Sequence, residues 1–178
     1  MGRNRYKICN ETAPYFITCT VLHWIPLFTR PATVQIILDC LAYRQQHRDF
    51  KIYAYVILEN HLHLIVQSPC LSKEISSFKS YTARLLIDYL TDQKAHQLLT
   101  QFHFFRKKHK VDRLYQIWEE GYHPKEIQSD KMLIQKINYI HQNPVKRGYV
   151  DHAEHWRYSS ARNYQGETGL LPVFMNWN

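Results

Sequence analysis

Two spacings of apolar residues alternate along the chain, and each marks a different kind of element. Residues 15–22, YFITCTVL, are aromatic and β-branched and follow Pro14, which predicts a first strand. From Pro31, Val34, Ile37, Leu38 and Leu41 recur at three- and four-residue steps. That stripe predicts a helix from a favourable first-turn proline to about His47. KIYAYVIL at 51–58 and HLHLIVQ at 61–67 return to strand-like composition and are separated by Glu59 and Asn60. They predict an antiparallel hairpin, although its turn lacks the favoured glycine. Ser72 then opens a second helix to about Leu90, with Ile75, Phe78, Ala83, Leu85, Leu86 and Leu90 on its buried face.

The stretch 91–113 is charged and aromatic and predicts a helical or irregular insertion. Residues 114–118 offer a last strand, and Gly121 and Pro124 punctuate a turn after it. Ser129 is placed to cap a final helix bearing Met132, Leu133, Ile137 and Ile140, with Pro144 ending it near Asn143. Strand, helix, strand, strand, helix, strand is the split β-α-β plan of a ferredoxin-like α+β fold. The expectation is therefore an antiparallel sheet with helices on one face and an additional C-terminal helix. Other α+β arrangements share this element order. With no repeat, linker or low-complexity tract, 1–178 reads as one domain, with a core at about 15–150 and a C-terminal extension at 151–178.

Composition narrows the partners. Twenty-three Lys and Arg against fifteen Asp and Glu leave a formal charge of +8, which favours a polyanion. A hydrophobic fraction of 45% with 21% charged residues is that of a folded chain, and no apolar run approaches the roughly 18 residues needed to cross a bilayer. The opening residues, MGRNRYKICNETAPYF, carry basic groups without an apolar signal core. Cys9, Cys19, Cys40 and Cys70 form no C-x-x-C pair. The expectation is a cytoplasmic protein with reduced thiols and no structural zinc.

Two groups of residues bear chemistry. His61 and His63 lie two apart in a predicted strand, so both imidazoles face one side while Leu62 and Leu64 face the other. Two buried structural histidines would give the same pattern, and a closed zinc site would need further ligands, so the pair suits an open metal site. Tyr139 and Asn143 are four apart on the last helix, with Lys136 three residues before Tyr139. A hydroxyl, an amide and an ammonium share one face there. A tyrosine packed by its apolar flank has the same spacing, so spacing alone does not single it out.

NHLHLIVQSP at 60–69, YIHQNPVKRGYV at 139–150 and HWRYSSARNYQG at 155–166 together resemble the REP-associated tyrosine transposases, members of the single-tyrosine HUH superfamily named for a His, hydrophobic, His strand motif. The WIPLFTR turn after the first strand and IWEEGYHP before the last helix extend the resemblance from about Tyr15 to Val173. It implies an HUH palm, related to RRM-like folds, whose C-terminal helix is catalytic. It places the nucleophile on Tyr139, metal-binding histidines on His61 and His63, and a further metal-shell residue on Asn143. Some relatives carry Gln at that last position. The implied activity is that of a metal-dependent single-stranded DNA transposase, a site-specific endonuclease that rejoins DNA through a 5′-phosphotyrosine without ATP. Mg²⁺ or Mn²⁺ is the implied ion, with imidazole donors comfortable on manganese. The implied partner is single-stranded or hairpin DNA. The family holds both monomers acting in cis and homodimers that share the last helix.

For DNA contacts the sequence offers Arg106, Lys107, Lys108 and Lys110 behind Phe102, Phe104 and Phe105, then Lys136, Lys146 and Arg147. Cations beside aromatic faces are what single-strand binders use, and a solvated helix end with core phenylalanines has the same composition. Arg157, Arg162, a mobile arm bearing Arg3 and Arg5, and a loop histidine, His123, are further candidates. Two other functions compete. One is a catalytically silent binder of structured nucleic acid on the same fold. The other is a metal-dependent hydrolase using water in place of Tyr139. Covalent attachment of DNA separates the transposase from both.

Overall fold

The structure, a computed structural model, describes residue 8 and residues 10–176. Arg3, Arg5 and Cys9 lie outside the described residues. Strand β1 (Tyr15–Thr20) leads to helix α1 (Pro31–His47), the hairpin β2 (Lys51–Ile57) and β3 (His61–Gln67), and helix α2 (Leu71–Asp92). After α3 (His96–Phe104) come a two-residue strand β4 (Lys125–Glu126), helix α4 (Asp130–Lys146) and a short α5 (Ala161–Tyr164). The sheet runs β2-β3-β1-β4 with every pair antiparallel, which is the ferredoxin-like order expected from the sequence. No helix among the described residues is long and apolar enough to cross a membrane.

Strand side chains alternate faces, so the sheet builds two cores. Tyr15, Ile17 and Cys19 of β1 and Leu62, Leu64 and Val66 of β3 join the large cluster under α1 and α2. Phe16 and Ile65 face the other way and meet Leu133, Ile137 and Ile140 of α4. In β2 the register shifts between Ile52 and Ala54, and Tyr53 and Ala54 fall consecutively on the α4 side. The additional helix therefore covers the face opposite α1 and α2. The hairpin turn needs no glycine, because neither Glu59 nor Asn60 adopts a positive φ.

Four details depart from the sequence reading. The first strand stops at Thr20, and Leu22 enters a single 3-10 turn, Leu22–Trp24. On α2 it is Thr82, bonded through Oγ1 to the Phe78 carbonyl at 2.7 Å, that is buried in the place given to Ala83 and Leu85, which are only partly covered. Residues 114–118 are not the last strand. Trp118 makes one bridge to Val21, flanked by the main-chain bonds Leu22 N to Ile117 O (2.8 Å) and Glu119 N to Thr20 O (2.9 Å). Side chains add to it, Trp118 Nε1 donating to Thr82 Oγ1 at 3.1 Å and, just after the segment, Lys79 Nζ donating to the carbonyls of Glu119 (2.7 Å) and Gly121. The chain thus follows the β1 edge through scattered bonds, with Thr18 N donating to Tyr122 O at 3.0 Å, and forms a regular ladder only at β4.

Nor does Pro144 stop the last helix. The Ser129 cap forms, its hydroxyl accepting from Met132 N at 3.3 Å, but the helix runs through Pro144 to Lys146. A proline this close to the end removes a single donor from the final turn. Gly148, at φ +72, is what ends the helix. Gly148 N donates to Val145 O (2.9 Å) and Tyr149 N to Pro144 O (3.0 Å), the paired bonds of a Schellman motif that favour glycine in the left-handed position.

The C-terminal segment braces β2, the edge strand. Ile57 N donates to Tyr158 O and Ser160 N to Tyr55 O, while the buried Ser160 hydroxyl pairs with His141 Nε2 of α4 at 2.8 Å. Covering an edge in this way removes an unpaired row of backbone groups and ties α4 to the sheet.

Candidate functional site

At the exit of β1 the α4 face of the sheet changes from apolar to polar. Pairing of β1 with β3 sets Thr18 opposite His63 and Thr20 opposite His61. The two imidazoles are buried, with ring centroids 4.8 Å apart. His63 stacks on Phe16 at 5.3 Å, and the Tyr139 ring stands edge-on to both His63 (5.4 Å) and Phe16 (5.8 Å). Tyr139 is 41% exposed, so its phenol is within the reach of solvent and of a bound molecule. Helix α4 delivers it because Leu133, Ile137 and Ile140 bury one stripe, leaving Lys136, Tyr139 and Asn143 along its border. Lys136 Nζ lies 4.9 Å from the Phe16 ring centre and 5.6 Å from that of Tyr139.

Hydrogen bonds orient each imidazole. His61 Nδ1 donates to Asn60 Oδ1 at 2.7 Å, and Asn60 Nδ2 donates onward to the Trp24 carbonyl at 3.1 Å. His63 Nδ1 pairs with Thr18 Oγ1 at 2.9 Å. With Nδ1 engaged on both rings, Nε2 is the nitrogen left to act as a ligand. Burial, the Arg147 charge and, for His63, its neighbour His61 keep both rings neutral, holding His61 down at about 4 and His63 at about 3. A neutral imidazole is the form that binds a metal.

Asn143 is buried at the border of this pocket, and its Oδ1 accepts from Arg147 Nε at 3.1 Å. Arg147 in turn reaches Glu59 Oε1 at 3.0 Å, while Glu59 Oε2 is buried with no hydrogen-bond partner. Among the described residues no three of His, Cys, Asp and Glu gather into a closed metal site. The donors present, two neutral imidazoles, with the Asn143 amide one turn of α4 beyond Tyr139, fit a divalent ion of open coordination whose remaining positions take water or substrate oxygens. They do not make a closed tetrahedral zinc site.

The structure thus brings His61, His63, Tyr139 and Lys136 together, with Asn143 and Arg147 at the border. Lys146 is exposed past Pro144 on α4. The basic run lies elsewhere and is partly neutralised: Lys107, His109 and Lys110 converge on Glu120 at 3.3, 2.7 and 3.3 Å, and Lys107 also faces Glu119 at 3.6 Å. Those contacts, His109 first, pull the Glu120 carboxyl down to about 2. Arg106 donates to the Arg113 carbonyl, and Lys108 is exposed. Phe102 is core, whereas Phe104 is exposed and Phe105 stacks on His23 at 4.1 Å. Arg157 is exposed, Arg162 Nε donates to the Glu154 carbonyl, and His123 is an exposed loop residue at φ 45.

Sequence reasoning missed Thr18, Asn60, Phe16 and Glu59. Asn60 was visible as the residue beside the first histidine, and Thr18 as the polar position inside an apolar strand, but only strand register reveals which histidine each one serves.

No protein-family model matches the chain. A protein of Haemophilus influenzae named "Putative REP-associated tyrosine transposase" is 36% identical over 121 residues, covering 67% of this chain and 64% of that protein, so the match spans slightly less than two thirds of the relative's length. Identity at that level over that length makes the two chains homologous. Among solved structures, a REP-associated tyrosine transposase bound to a REP hairpin superposes with a TM-score of 0.64 at 19% identity, covering 100% of this chain and 94% of that one. The fold is shared along the whole length.

Proposed function

We infer that the chain belongs to the REP-associated tyrosine transposases, and that it cleaves and rejoins single-stranded DNA through a covalent 5′-phosphotyrosine on Tyr139. Homology to the Haemophilus protein supports the family. The activity rests on one observation: the exposed phenol of Tyr139 stands against the buried, neutral His61 and His63 pair. The hairpin held by the solved relative supports hairpin or repeat DNA as the substrate class.

His61 and His63 would hold Mg²⁺ or Mn²⁺ through Nε2, with Asn143 Oδ1 as a further donor once Arg147 releases it. Bound there, the ion supplies Lewis acidity and orientation at a non-bridging phosphate oxygen. The rest is done by the chain itself. Tyr139 Oη attacks phosphorus in line as the bond to the 3′-oxygen breaks. The phenolic proton passes to solvent, which the exposed ring reaches, and the departing 3′-oxygen takes up a proton in turn. Storing the phosphate on a protein oxygen divides one strand exchange into two easier steps and keeps the bond energy for rejoining. Lys136 and Arg147 place positive charge beside the pocket, where they favour the phosphate. One chain supplies every group, which supports cleavage in cis without a homodimer, by a single domain working on DNA in the cytoplasm.

The test is covalency. Hairpin-containing single-stranded DNA and Mn²⁺ are expected to give a denaturant-resistant protein–DNA adduct, with mass spectrometry locating the nucleotide on Tyr139. Cleavage that continues unchanged in Tyr139→Phe would remove this mechanism in favour of a water-activating hydrolase. Salt-dependent hairpin binding without any adduct would point to a silent binder.

A further inference from the structure

We propose that Trp24 is a stacking platform for a base flanking the scissile phosphate, and that the aromatic ridge it begins leads the single strand from the site toward the basic segment at 106–110. The proposal rests on the single-stranded DNA reading above and adds a nucleotide-binding surface to it.

Trp24 is 55% exposed, yet its ring stands edge-on to that of His61 at 5.3 Å, at the rim of the imidazole pocket. An indole left open to water beside a site is a surface looking for an apolar face. The backbone is also held in an unfavourable shape to keep it there. His23 and Trp24 are consecutive non-glycine residues at φ 51 and 57, a region that bulky side chains rarely enter. Local bonds impose it. Trp24 N donates to Val21 O (2.9 Å), His23 N to Glu119 Oε1 (3.0 Å), and Asn60 Nδ2 to Trp24 O (3.1 Å). Because Asn60 also orients His61, one side chain holds the main chain of Trp24 and the candidate ligand together.

The strained pair points two ways. Trp24 meets His61, while His23 stacks on Phe105 at 4.1 Å and 22°. Phe105 is in turn edge-on to Phe104 at 5.1 Å, and Phe104 is 77% exposed. The ridge ends where Lys107, Lys108 and Lys110 begin. Open aromatic faces in line with cations, on a chain of net charge +8, match how single strands are held: rings take bases and lysines take phosphates. Trp24 is the nearer of the two exposed rings to the imidazoles and so takes a base close to the reacting phosphate.

The test is a binding cycle with full-length protein and hairpin oligonucleotides carrying an abasic residue at each position flanking the cleavage site in turn. In the wild type one abasic position is expected to weaken binding about tenfold, within the range that stacking of a single base supplies. Trp24→Ala is expected to lose about the same factor on intact DNA and then to be indifferent to that abasic position. Trp24→Phe, which keeps a ring, is expected to retain most of the affinity. Equal abasic penalties in wild type and Trp24→Ala overturn the proposal. Should Trp24→Ala fail to fold, fluorescence of the Phe variant decides: with three other tryptophans in the chain, DNA quenching of emission is expected to be clearly smaller in Trp24→Phe than in the wild type, and equal quenched intensity in the two overturns the proposal. Adduct formation by the wild type, run alongside, separates this outcome from failure of the transposase reading, since the binding cycle does not depend on covalency.

Discussion

The two faces of the sheet are built from the same strands and put to different uses. Under α1 and α2, the side chains of Ile17, Cys19, Leu62, Leu64 and Val66 are sealed from water in one continuous apolar cluster. On the α4 face the apolar cluster ends at Phe16 and Ile65, and beyond it stand Thr18, His61 and His63. Residue by residue β3 alternates between the two, so a one-residue slip in register would bury the imidazoles under α1 and α2 and set leucines against Tyr139. The apolar face thus fixes the register that presents the polar one. If so, substitutions on one face should change stability and those on the other should change chemistry.

The largest separation is expected at the nucleophile. Tyr139→Phe should lower adduct formation at least about a thousandfold, as loss of a nucleophile does elsewhere, while a thermal melt stays within about 0.5 kcal/mol of wild type. Next come His61→Ala and His63→Ala. Each should cost more than the about 10- to 100-fold that disturbing a ligand's partner costs, and should abolish Mn²⁺ binding by calorimetry while hairpin binding survives. Hairpin binding lost together with cleavage would mean that the histidines shape the fold, and the contrast between faces would collapse.

Much of this contrast is written in local spacing. Alternation in HLHLIVQ separates His61 and His63 from Leu62 and Leu64 without any knowledge of the partners, and the three- and four-residue steps of α4 place Lys136, Tyr139 and Asn143 on one border. What spacing does not carry is long-range. Thr18 serves His63 only because β1 and β3 pair in one register. Residues 114–118 look like a strand by composition but make only one bridge, Trp118 to Val21, with the Trp118 indole tied to Thr82 of a distant helix, and Pro144 reads as a stop although Gly148 is the residue that ends α4. The charge of the run at 106–110 was plain, whereas its pairing with Glu120 depends on how 105–120 folds back.

On the apolar face, Leu64→Ala removes a fully buried side chain and should destabilise by about 2–5 kcal/mol, read as a lower midpoint in urea. At a temperature where the variant stays folded, its adduct yield should be near that of wild type. The polar face carries a pH signature in its place. His61 and His63 are held neutral at about 4 and 3, and His141, buried beside Ser160, at about 4, all below the ordinary histidine value near 6.5. Between those values the unfolded chain binds more protons than the native one, so stability should fall as pH drops from about 6.5 toward about 3, the His63 value, and be unaffected by histidine above that window. Melts of His63→Gln should show a shallower decline, and an unchanged slope would refute the assignment.

The finest test lies where the two faces share a strand. Thr18 sits between Ile17 and Cys19, whose side chains belong to the apolar cluster, while its own hydroxyl pairs with His63 Nδ1 at 2.9 Å. Thr18→Val keeps the volume and the branched shape that strands favour, so the fold should lose less than about 1 kcal/mol. Without the hydroxyl, His63 loses the partner that sets its tautomer and ring angle, and its Nε2 is no longer presented in one orientation. Mn²⁺ affinity and adduct rate should drop about 10- to 100-fold, less than for His63→Ala. Raising Mn²⁺ should recover much of that loss in the valine variant and none in His63→Ala, because the first keeps the ligand and the second removes it. A valine variant that melts as low as Leu64→Ala would show that Thr18 supports packing, and one whose Mn²⁺ dependence is unmoved would show that His63 needs no orienting partner.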